Sequence, residues 1–232
     1  FTMTGGMISN CAATFGGGVY VNSGTFEMNG GKIANCTAAQ GGGVCVDAGG
    51  IVKGSTVDIT CCTVTYFGGG LYLSGSDLDG SKDAAPAECT MSGGKIAGCI
   101  AKGSGVMEIG GGVYVETGAA FTMEGTAEIT DCHVYSLTAA EQMIVAGGIY
   151  AAMETKIILR GSANISSCSE VYYKNGVLIE EIPNGITTSG NVEVYDTASI
   201  DYLECSLNSI NTNNAFSGSV NNISLSLVNG MN

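Results

Sequence analysis

Tryptophan is absent from this 232-residue chain, proline occurs twice, and histidine and arginine occur once each, as His133 and Arg160. Eight basic residues stand against 21 acidic ones, a formal net charge of −13. So few cations on an acidic chain cannot neutralise a phosphate backbone, and a nucleic-acid partner is not expected. No apolar run approaches the ~20 residues of a membrane-crossing helix, so no membrane span is expected. Charged residues make up 12% and hydrophobic residues 45%, a balance that excludes a disordered chain. Glycine, by contrast, is abundant at 37 residues, without the strict triplet of collagen.

The glycines belong to a repeat. Phe1-Thr-Met-Thr-Gly-Gly-Met-Ile-Ser-Asn-Cys11 aligns with Phe26-Glu-Met-Asn-Gly-Gly-Lys-Ile-Ala-Asn-Cys36, and Gly16-Gly-Gly-Val-Tyr-Val21 aligns with Gly41-Gly-Gly-Val-Cys-Val46. The pattern returns with Ile59-Thr-Cys-Cys62, then at 91–99, 121–132 and 157–168, joined by Gly68-Gly-Gly-Leu-Tyr-Leu73, Gly110-Gly-Gly-Val-Tyr-Val115 and Gly147-Gly-Ile-Tyr-Ala151. A fainter seventh copy reads Val192-Glu-Val194, Ile200 and Leu203, with Leu203 at the cysteine position. Period-two alternation marks each short apolar run as a half-buried strand. Strands this short cannot pair within one copy, so successive copies pair with each other, like residue above like residue. That predicts an all-β parallel β-helix, a solenoid of about seven coils of roughly 25 residues with insertions at its corners. The expected inward columns are Phe1/Phe26/Ile51/Phe121/Ile157, Met3/Met28/Met91/Met123/Leu159 and Ile8/Ile33/Ile59/Ile96/Ile129/Ile165. Residues 1–168 form the regular part, and 169–232 are read as degenerate coils with a C-terminal cap or docking segment.

The phrase Phe-Thr-Met-x-Gly-Gly-x-Ile followed by Gly-Gly-Gly-Val-Tyr-Val resembles the repeats of adhesin-like and polymorphic-outer-membrane-type surface proteins. These are right-handed parallel β-helices of bacteria and some archaea. The resemblance covers about residues 1–168. It implies an extracytoplasmic, cell-surface protein without chemistry of its own, and partners that are either other copies of the chain or a host or cell-surface glycan or protein. This chain carries Cys11, Cys36, Cys62, Cys99, Cys132 and Cys168 where such repeats usually carry Asn.

A residue that recurs once per coil is stacked on itself at about 4.8 Å, inside the Cα window for a disulfide. The six cysteines are therefore read either as a buried column of thiol filler or as vertical disulfides; Cys-x-x-Cys metal spacing is absent. Cys45 and Cys61 are expected to face outward, where exposed thiols can cross-link. Cys89 and Cys205 also lie off the column. Tyr20, Tyr72, Tyr114 and Tyr150, at the middle of Val-Tyr-Val, are expected as an exposed aromatic stripe that either stabilises a sheet face or forms a contact surface.

Asp77, Asp79, Ser81, Asp83 and Glu88 occupy positions 1, 3, 5, 7 and 12 of a calcium-loop spacing, but Lys82 replaces its glycine. A solvated acidic loop is the competing reading, and calcium is the one cofactor considered. His133 is read as solvated surface. Carboxylates avoid the strand signatures, which disfavours a polysaccharide lyase or hydrolase. The expected role is a non-catalytic, extracellular, adhesin-like rod. The alternative is a subunit of a fibre, sheath or surface layer assembled end to end or laterally, for which the bare first coil reads as a docking end or as a break in a longer rod.

Overall fold

The computed structural model describes residues 1–76, 85–103, 108–136, 144–174, 177–206, 219–220 and 223–226. Among them there is no helix, and the strands form sheets of 13, 8, 6 and 2 strands. Every pairing is parallel except that of Ser169–Lys174 with Val177–Pro183. In the eight-stranded sheet Val19–Val21, Val44–Val46, Leu71–Leu73, Val113–Val115, Ile149–Ala151, Ile186–Thr188, Leu203–Ser206 and Ile223–Ser226 follow one another in chain order. Each neighbour is thus the next copy of the repeat, as short runs with no partner inside their own copy require.

The 13-stranded sheet holds the other two runs of each copy. Thr2–Ser9 and Gly24–Ala34 carry both runs as one continuous strand, whereas later copies split them, as in Ala120–Met123 and Glu128–Thr130. The cores of these ladders are columns: Met91 on Met123 on Leu159 on Val194, and Ile59 on Ile96 on Ile129 on Ile165 on Ile200. Together with the inward members of Val-x-Val they make one continuous buried core.

One expected column needs correction. Ile51 is 39% exposed, and Val52 is the residue that pairs with Phe26 and with Cys89, which in turn pairs with Phe121. Cys89 is therefore a core residue of the Phe column. Val21 pairs with Val46 but Gly24 with Gly50, so the turn between them holds one residue more than in the first copy. A one-residue slip in a strand moves every side chain to the opposite face. Leu203 is a second correction. It pairs with Ile186 in the Val-x-Val ladder, because with no glycine triplet after Ile200 that copy skips the side arm.

That side arm is a further strand in each copy, between the cysteine and the glycine triplet: Thr37–Gln40, Thr63–Phe67, Ile100–Gly103 and His133–Ser136 stack in the six-stranded sheet. Two of the insertions return as Glu108–Gly110 and Ile144–Ala146, which pair with each other. Ile109 and Val145 from this pair close a second small core over Ala38, Val64, Ala101 and Val134.

The glycine triplet turns each arm back toward the core. Gly41 has φ of 62°, a conformation that glycine adopts freely. A Cβ on Gly42 would lie 2.3 Å from the Gly69 carbonyl oxygen, and one on Gly43 would lie 2.3 Å from Ile59 Cγ2. Stacked turns at this separation exclude any side chain.

Candidate functional site

The cysteine column is the chemistry that the fold concentrates. The residue before each cysteine turns the chain in the left-handed region: Asn10, Asn35, Cys61, Gly98, Asp131 and Ser167, with φ of 54–62°. Asn, Asp and Gly tolerate that conformation best. Each turn aims the next side chain inward, and this corner is the reason the cysteines superpose. Cys36, Cys62, Cys99, Cys132 and Cys168 are buried, and Cys11, at the outer end, is exposed. The residues two before each cysteine pair in series from Ser9 to Ser166, so Cys11, Cys36, Cys62, Cys99, Cys132 and Cys168 stand one above another. All nine cysteines whose side chains are described are free thiols.

Each thiol also has a carbonyl two residues back. Cys36 Sγ donates to Ala34 O at 3.4 Å, Cys132 Sγ to Thr130 O at 3.4 Å and Cys168 Sγ to Ser166 O at 3.3 Å. A thiol is small and apolar yet carries a weak donor, so it fills the corner and satisfies a carbonyl at once. Burial pushes the Cys36 and Cys132 thiols up from their ordinary value and keeps them protonated.

The cross-link candidates divide. Cys61 is exposed at its corner, as expected of a residue facing away from Cys62. Cys45 is fully buried, contrary to expectation. It stands in one column with Tyr20 and Tyr72, and Tyr114 and Tyr150 continue that column. The exposed aromatic stripe is likewise corrected: Tyr72, Tyr114 and Tyr150 are 3%, 7% and 3% exposed, and only Tyr20, at 42%, is open. Tyr72 stacks on Tyr114 at 5.5 Å and Tyr114 on Tyr150 at 5.1 Å, while Phe67 from the arm lies 4.8 Å from Tyr114. The rings cover one another and the arm covers the rings. Tyr72 Oη donates to Glu116 Oε2 at 3.1 Å, and the same oxygen accepts from Ser74 Oγ and Gly75 N.

Of the calcium-loop residues, Asp77, Asp79, Ser81 and Asp83 lie outside the described residues; Glu88 is exposed at the start of Glu88–Met91. Among the described residues no group of three or more His, Cys, Asp and Glu side chains could hold a metal ion. No helix among them is long and apolar enough to cross a membrane.

One constellation escapes sequence reading. His133 lies between Asp131 Oδ1 (3.2 Å from Nε2) and Ser169 Oγ (2.8 Å from Nδ1), and Ser169 Oγ donates to Glu181 Oε1 at 2.8 Å. Ser169 is buried and serves as a tie between the arm ladder and the antiparallel strand Val177–Pro183. Asp131-x-His133 was visible in the chain, but its partners come from the next copy. No family model, curated protein or solved structure matches the chain.

Proposed function

We propose that this chain is a non-catalytic β-helix rod of the extracellular surface, adhesin-like in role, in which about seven right-handed coils wind around the single continuous core. Three ladders whose neighbours are always consecutive copies support the winding, and parallel crossovers are right-handed in nearly all sheets. The observation that carries the structural role is the uniform in-register stacking of like residues through every ladder. Such a column ties each copy to two others through backbone hydrogen bonds and makes a stiff, elongated scaffold. The repeat resemblance supports the surface location.

A fibre or surface-layer subunit is the second reading. It is favoured by the exposed apolar residues Val177, Leu178, Ile179 and Ile182 on the strand Val177–Pro183, since apolar exposure on a strand invites association. A polysaccharide lyase or hydrolase is the third, disfavoured by carboxylates that avoid the strand signatures.

Electron microscopy of the purified protein tests the reading. Isolated rods are expected; continuous fibres would replace the adhesin-like role by the assembly one, and compact particles would overturn both. Release of oligosaccharides from acidic or neutral polysaccharides would establish catalysis instead.

A further inference from the structure

Three stretches of the chain read Asn-x-Ser or Asn-x-Thr: Asn35-Cys-Thr37, Asn164-Ile-Ser166 and Asn222-Ile-Ser224. That signature marks an asparagine able to accept an N-linked oligosaccharide, and the fold treats the three differently. Asn222 lies outside the described residues. Asn35 and Thr37 are exposed on either side of the buried Cys36. The carboxamide and the hydroxyl of that signature therefore both reach solvent, while the residue between them anchors the corner to the core. From this arrangement we infer that Asn35 is the acceptor of an N-linked oligosaccharide and that Asn164 is closed to one.

Geometry selects Asn35 over Asn164. Asn164 and Ser166 belong to the strand Asn164–Ser166 of the 13-stranded sheet. Asn164 Nδ2 donates to Ser166 Oγ at 3.0 Å, and Asn164 Oδ1 accepts from Ser199 Oγ of the next copy at 2.7 Å. Both polar groups of that signature are spent on each other and on a neighbour, and a sugar on Nδ2 would displace them. At Asn35 only the backbone is held: Asn35 N donates to Thr60 O at 3.1 Å and Thr37 N to Cys11 O at 2.9 Å. Among the described residues nothing bonds the Asn35 carboxamide or the Thr37 hydroxyl. Asn35 turns the chain at φ of 54°, a conformation that asparagine tolerates. Cys61 and Asp131, at the same corner of later copies, are exposed as well. Access to Asn35 is thus a property of the corner, from which a glycan projects sideways without displacing a strand.

The co-substrate is a lipid-diphosphate-linked oligosaccharide, and a membrane-bound transferase supplies the catalysis. Asn35 Nδ2 attacks the anomeric carbon of the sugar. The carbon–nitrogen bond forms as the bond from that carbon to the phosphate oxygen breaks. The lipid diphosphate leaves with the bonding electron pair, and Nδ2 gives up one proton to a base of the transferase. Nothing is oxidised or reduced. The Thr37 hydroxyl contributes recognition and no atom to the product. Because such transfer takes place on the outer side of a membrane, occupancy in the native cell rests on the extracellular reading above.

The test secretes the chain from a eukaryotic host that N-glycosylates, and releases the glycans with an amidase in heavy-oxygen water. Each occupied asparagine then carries an isotope label that peptide mass spectrometry reads. The label is expected at Asn35 in most of the folded, secreted molecules and at Asn164 in few. Asn35→Asp and Thr37→Val should each abolish the label at position 35 while the secreted protein keeps its β-sheet circular dichroism and its thermal midpoint. An unlabelled Asn35 in folded wild-type protein would overturn the inference, as would equal labelling of Asn164. Surface labelling of intact native cells forms a separate arm, and a chain found only inside them would remove the extracellular reading alone.

Discussion

Arg160 grips Glu124 from the next strand of its ladder, with Nη2 2.6 Å and Nε 2.7 Å from the same oxygen, Oε2. Ser92, one copy further along, donates its hydroxyl to Glu124 Oε1 at 2.7 Å. The single arginine of the chain thereby helps tie three consecutive copies together on the outside. The Ser92 hydroxyl first, and then Arg160, hold the Glu124 carboxyl below its ordinary range. A depressed carboxyl stabilises the fold above its unfolded value, near 4.5, and that contribution is lost as pH falls through the folded value. Arg160→Ala should cost up to about 1 kcal/mol at neutral pH. The cost should vanish in acid; thermal melts at neutral pH and near the carboxylate range check both halves.

Glycine substitutions should separate close approach from mere flexibility. A Cβ on Gly43 meets Ile59 Cγ2 at 2.3 Å and Gly70 O at 2.7 Å, whereas one on Gly5 meets nothing within 4 Å. Gly43→Ala should destabilise by about 3 kcal/mol or more. Gly5→Ala should be neutral or stabilise by about 0.5 kcal/mol. Denaturant melts of the two variants decide it, and equal effects would mean that the triplet turns are not stacked this tightly.

The corrected register around Ile51 is open to the same kind of comparison. Val52→Thr keeps shape and buries a hydroxyl, which should cost about 1–3 kcal/mol; Ile51→Thr, on the exposed face, should stay within about 0.5 kcal/mol. Ile33→Asp, which places a charge in the core column, should exceed both at several kcal/mol. A larger loss at Ile51 than at Val52 would restore the register expected from the repeat alignment.

Burial first, and then the neighbouring Glu116 carboxylate, push the Tyr72 phenol well above its ordinary value of 10.0. A raised folded value means stability that is complete below the unfolded value and is lost as pH rises toward the folded one. In an ultraviolet alkaline titration, Tyr72 should ionise only together with unfolding, and Tyr72→Phe should leave the amplitude of the early phase unchanged. Loss of early-phase amplitude in that variant would place Tyr72 on the surface.

Ser169 is the link between His133 and Glu181. Ser169→Ala should loosen the Val177–Pro183 strand by about 1 kcal/mol, seen as about fivefold faster amide exchange there and little change in the Val113–Val115 ladder.

Much of the architecture was legible because it is written repeatedly. Phe-x-Met, the Ile and the Val-x-Val run state the strand period several times over, and short strands with no partner at home must pair between copies. The extra residue between Val46 and Gly50, which sets Val52 and not Ile51 opposite Phe26, was not legible, since both residues are apolar and β-branched and only the register ranks them. Nor was the fate of the tyrosines. Alternation places Tyr72 and Tyr114 on the face opposite the valines but does not say whether that face meets water; Phe67 from the arm covers them. The outer columns follow a different rule from the inner ones. Glu27 pairs with Lys53 and Lys95 with Glu128, because like charges one strand apart repel.

Periodicity alone therefore determined that this chain is all-β, parallel and stacked copy on copy, since local alternation and glycine corners act over a few residues at a time. Which faces are wet, which serine meets His133 and which carboxylate meets Arg160 were decided by tertiary structure. Those outcomes depend on where an arm folds back and on which residue of the next copy arrives opposite, and contacts between copies leave no local mark in the order of the residues.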